Sequence, residues 1–202
     1  TWFCTITYFM TFGTFSGLSA AFPLMIKSLY GDFPGAPDPL HYAFYGPLIG
    51  SASRVAFGFV ADKVGGAVLT TLTGIGFIGC IIVMITMGLV APTSIDQFPY
   101  FLTVMLVIFF FSGIGNAATF RQYPIIFKDN PVHAAGVIGW TAAIAAYGPF
   151  IFSMIIGSVL HSSKELGMKS ANSFFWGLLV FSIIATLINW YYYQRKGAER
   201  PS

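Results

Sequence analysis

The 17 charged residues of this 202-residue chain, 10 basic and 7 acidic, fall in clusters and leave long apolar runs between them. Each run is comparable to the ~20 residues that cross ~30 Å of hydrocarbon. Spans are therefore expected at roughly 2–27, 40–62, 66–91, 98–121, 133–160 and 171–194. Charged residues make up 8% of the chain, where about 25% is usual for a soluble protein, so lipid has to solvate much of the surface. Leu, Ile, Phe, Gly and Ala dominate, without the alternating segments of a membrane barrel. The fold class that follows is all-α: a polytopic membrane helical bundle with six transmembrane helices over residues 1–202.

Orientation follows from the basic residues beside the spans. With the N-terminus cytoplasmic, the inside segments hold Lys63, Arg121, Lys128, Arg195, Lys196 and Arg200, and the outside segments hold Lys27, Lys164 and Lys169. Six against three places both ends inside, in an inner (cytoplasmic) membrane. The acidic, proline-rich loop GDFPGAPDP at 31–39 is expected outside and non-helical. The net charge of +3 then reflects cytoplasmic anchors, and nucleic acid is not an expected partner. The chain starts at Thr1 with a 26-residue uncharged run, too long for a signal peptide core, so it reads as a span within a piece of something longer.

An ionisable residue deep in a span is costly and marks function by default. Arg54 is such a residue, about 21 Å into its span from the outer end. It is either a structural arginine paired to carbonyls or a partner helix, or a ligand for an anion. The second reading is favoured because no span offers a carboxylate at membrane depth to neutralise it. Arg54 belongs to a row at spacing four, Gly46, Gly50, Arg54, Gly58 and Asp62, which suits both close helix packing and an opening around the guanidinium. Tyr8 and Phe12 share a face of the first span, at about 10 and 16 Å from the cytoplasmic end, and so bracket Arg54 in depth. A flat ring beside a guanidinium suits a small planar anion. Asn116, Gly139 and Ala142 lie in glycine-rich stretches at similar depth and are candidates for the same cavity. Bends are expected at Pro23, Pro47 and Pro149.

Cys4 and Cys80 lie far apart in apolar runs, and His41, His133 and His161 fall near span ends. Neither a metal, a cofactor nor an enzyme activity is expected from such a set.

The segment Gly58-Phe-Val-Ala-Asp62-Lys63-Val-Gly65-Gly66 resembles the G-x-x-x-D-[RK]-x-G loop of the major facilitator superfamily. Together with TYFMTFGTFSGLSAAF, FYGPLIGSASRVAFGFVADKVGG and GIGNAATF, it resembles the C-terminal half of the nitrate/nitrite porter family (NarK-type) over essentially the whole chain. The resemblance implies half of a twelve-helix transporter that works by alternating access. It implies Arg54 as the anion-binding arginine, Tyr8 as a hydrogen-bonding partner of the substrate, and Phe12 as the ring that stacks on it. Gly139 and Ala142 match the substrate-facing segment, with Ala142 where related porters can place a serine. Asp62 and Lys63, between Gly58 and Gly65, are implied in gating. The implied partners are nitrate or nitrite, the lipid bilayer and an N-terminal six-helix half. Transport of another small anion, or a non-transporting membrane assembly role, are the alternatives.

Overall fold

A computed structural model describes all 202 residues and is wholly helical. Five helices are long and apolar enough to cross a membrane: Trp2–Tyr30, Gly66–Thr86, Ile95–Ile126, Pro131–Glu165 and Asn172–Gln194. In chain order these are the first, third, fourth, fifth and sixth long helices. The second, Tyr45–Val64, has the length of a span but is too polar to count with them. Its polarity comes from the serines beside Arg54 and from Arg54, Asp62 and Lys63, three residues to which the sequence also points. The chain is a multi-pass membrane protein.

The helices run up and down. Cys4, Ala67, Tyr123 and Tyr193 meet in one apolar cluster, which gathers helix ends and both chain termini on one side. At the other side the Tyr30 hydroxyl donates to the Leu89 carbonyl at 2.7 Å, and the Ala171 amide donates to the Val90 carbonyl at 2.7 Å. The fourth helix is the hub, with 61% of its most apolar window buried against 28% for the fifth.

Local chemistry sets the ends. Ser94 and Gln97 form a capping box ahead of the fourth helix, and the Asn130 side chain accepts from the His133 amide with Pro131 in the first turn of the fifth. Gly65 closes the second helix at φ +98°, a conformation that glycine takes at little cost. Residues 31–38 form turns and extended backbone, as the proline-rich sequence predicts, while Pro39, expected outside helix, opens a short helix to Tyr42 capped by Asp38. Of the three prolines expected to bend spans, only Pro149 coincides with a break, at Ala146–Tyr147. Pro47 sits in the first turn of its helix, where its missing N–H costs little, and Pro23 lies inside an unbroken helix.

Polar groups away from water must find partners within the bundle. Gln122 donates from Nε2 to Asn189 Oδ1 at 3.0 Å and accepts at Oε1 from Thr70 at 3.1 Å. Asn189 Nδ2 donates to the Ala67 carbonyl at 2.8 Å and to Thr71 Oγ1 at 2.9 Å. This buried set ties the third, fourth and sixth helices together.

Candidate anion site

The second helix is pressed against the fourth by residues that have almost no side chain. A Cβ on Gly46 would enter the Phe109 ring, and one on Gly113 would enter Ser53 Oγ and the Gly50 carbonyl. Ser53 Oγ donates to the Phe110 carbonyl across the same contact at 3.0 Å. The row of spacing four does not keep one face. Each step of four residues turns about 40° past a full circle, so the row runs from buried Gly46 and Gly50 to exposed Arg54 and Asp62. The first two glycines serve packing, while Gly58 has nothing within 4 Å of a would-be Cβ.

That rotation brings Arg54 out at the edge of the packed seam. Its guanidinium carbon lies 5.2 Å from the centroid of Phe120, a cation–π contact, and it is in no ion pair. Phe120 meets Tyr8 edge-on at 5.3 Å, and Tyr8 stacks on Phe12 at 5.5 Å with 19° between the rings. Tyr8 is 3% exposed, and Ala142 packs against the same aromatic cluster. Phe120 thus joins the arginine to the two rings picked out from the sequence. It stands in the GIGNAATF run, but as one of 22 phenylalanines it carries no signal of its own.

A small cavity of about 20 Å³ lies beside Arg54, lined by Phe15, Gly50, Ser51, Gly113 and Asn116 as well. That is room for roughly one water. Asn116 is 2% exposed, and its Oδ1 has no hydrogen-bond partner. A buried polar atom without a protein partner is costly unless water reaches it, and the adjoining cavity has room for one. Gly139 stands apart on an exposed part of the fifth helix, with nothing within 4 Å of a would-be Cβ and no share in this cavity. One turn of π-helix, Phe9–Gly13, interrupts the first helix beside Tyr8 and includes Phe12. Such turns are uncommon and concentrate at functional sites.

No protein-family model matches the chain. It is 54% identical over 202 residues to the probable nitrate/nitrite antiporter NarK2 of Thermus thermophilus, covering all of this chain and 43% of that protein. It is 29% identical to the nitrate/nitrite transporter NarU of Escherichia coli K12, over 96% of this chain and 44% of that one. It is 26% identical to a nitrite extrusion protein of Bacillus subtilis, over 96% of this chain and 45% of that one. The chain is similar to these three transport proteins over part of their length. It spans less than half of each of these relatives.

The loop that carries the resemblance to those porters is built on two contacts. Asp62 Oδ1 is 3.2 Å from Arg121 Nη1, with both side chains about half exposed. Arg121 is 59 residues away in sequence and adjoins Phe120, so the same turn of the fourth helix touches both Arg54 and Asp62. Gly66, next to Gly65, approaches the fourth helix so closely that a Cβ would lie 2.6 Å from the Ala118 carbonyl. Lys63 is exposed and in no ion pair.

Proposed function

We propose that the chain is the C-terminal half of a nitrate/nitrite transporter, paired with an N-terminal six-helix half and moving its anion by alternating access. The observation that carries this reading is Arg54, a guanidinium in a span with aromatic neighbours and no carboxylate partner. The names and extent of the relatives support it independently. The anion lies on the exposed side of Arg54, since the cavity beside it is too small to enclose nitrate. The planar fork donates two parallel hydrogen bonds. Phe12 and Tyr8 wall the site, Asn116 backs Arg54 from the small cavity on its buried side, and Gly139 and Ala142 leave the fifth helix free of bulk where the opposing half approaches. The second helix makes a sixth span, in an inner membrane with both chain ends cytoplasmic.

Asp62, Lys63, Gly58 and Gly65 act in gating. Asp62 holds Arg121 at one end of the bundle, and breaking or remaking that pair accompanies the rocking of the halves. Labelled nitrate uptake into vesicles tests the whole reading. The chain joined to its N-terminal half is expected to exchange nitrate for nitrite, and Arg54→Ala is expected to abolish uptake. Normal uptake by well-folded Arg54→Ala protein would overturn it.

A further inference from the structure

At the end of the bundle opposite Gly65, the first and fifth helices finish side by side around a cavity of about 450 Å³. Lys27 and Lys164 reach it from the last turns of those two helices, and Lys169 reaches it from the following loop. Asp32 is the one carboxylate in the lining. It is bound to Lys169 at 3.0 Å, and that hydrogen bond, then the charges of Lys169 and Lys164, hold its carboxyl below the ordinary range. His161, also in the lining, faces Glu165 at 3.6 Å. Lys27 and Lys164 are left in no ion pair.

A lysine in the last turn of a helix complements the helix dipole, which accounts for each of these two singly. It does not account for their convergence from two helices on one roomy cavity that already holds a third lysine. One turn further from the helix ends the lining is apolar, with Leu24 and Leu160, and Gly157 has nothing within 4 Å of a would-be Cβ. A cationic rim over an apolar wall, in helices that cross a membrane, matches an amphiphile with an anionic head.

We infer that this cavity binds the phosphodiester of an anionic phospholipid in the leaflet at the Tyr30 end, with an acyl chain laid along Leu24 and Leu160. Basic pockets between membrane helices recognise anionic headgroups. The inference does not depend on what the protein transports.

Native mass spectrometry of the protein in neutral maltoside micelles tests it. The probes are palmitoyl-oleoyl phosphatidylglycerol, phosphatidylcholine with the same chains, and inorganic phosphate. The wild type is expected to retain one phosphatidylglycerol about tenfold more tightly than phosphatidylcholine. Lys27→Gln/Lys164→Gln is expected to erase that preference, and Lys27→Arg/Lys164→Arg to keep it, with helicity checked by circular dichroism. Equal retention of the two lipids by the wild type, which needs no variant, would overturn the site. So would a preference that survives in folded Lys27→Gln/Lys164→Gln protein. Displacement of phosphatidylglycerol by sub-millimolar inorganic phosphate would overturn the lipid as the source of the phosphate group.

Discussion

Replacing Arg54 by lysine keeps the charge and removes the fork. In the structure the guanidinium has no acidic partner to lose, its contact with Phe120 is at 5.2 Å, and an ammonium can make a similar contact with the ring. The difference between the two residues therefore reduces to one directed hydrogen bond to the anion. Hydrogen bonds to charged groups contribute about 1.5 to 3 kcal/mol, which corresponds to roughly 10- to 150-fold in Kd. Arg54 is exposed on its outer side, so the lower end applies unless the opposing half encloses it. Nitrate titration of the two-half protein, by calorimetry or tryptophan quenching, reads the change directly. If Arg54 only packs helices, the lysine extends its ammonium to the nearer interface and affinity stays the same. Equal affinities in a mutant with wild-type helicity would refute the anion site.

Asp62→Asn removes a half-exposed pair with Arg121, so thermal stability should change by less than about 1 kcal/mol. Nitrate turnover in vesicles should slow while nitrate affinity holds; lost affinity with normal turnover would contradict a gating role. Gly65→Ala forces a side chain into φ +98° and should cost about 1 to 3 kcal/mol in detergent unfolding. Asn189→Leu strands Gln122 Nε2 and should cost about 1 to 3 kcal/mol. Adding Gln122→Leu should recover part of that loss, and a purely additive double mutant would show that the network is not coupled.

The apolar spans were legible because clustered charge is a one-dimensional property. Gly65-Gly66 and Pro149 were legible too, since turn and break chemistry is local. The direction in which a helix face points is not local. The row from Gly46 to Asp62 looks like one stripe in sequence, yet the mismatch between four residues and a helical turn carries it from the buried seam to the exposed side. For the same reason the roles of Phe120 and Arg121 are not legible in sequence: they lie in contacts with Arg54 and Asp62, on a helix reached only through folding. The π-turn at Phe9–Gly13 has no sequence signal that we can name. Gly139 illustrates the reverse: a motif match places it with the site, while its neighbourhood is open space.

The glycine seam between the second and fourth helices has a mechanical consequence. With backbone seated on side-chain and carbonyl atoms at Gly46, Gly50 and Gly113, there is no layer of flexible side chains to shear. Sliding one helix by a fraction of a turn would drive Ser53 or Phe109 into main chain, so the two travel as a single strut. Arg54 and Asp62 belong to one helix of that strut, and Phe120, Asn116 and Arg121 to the other. The spacing between guanidinium, ring and amide is therefore set when the two helices pack. Compliance is left to Tyr8 and Phe12, which reach the strut from a helix whose own winding loosens beside them.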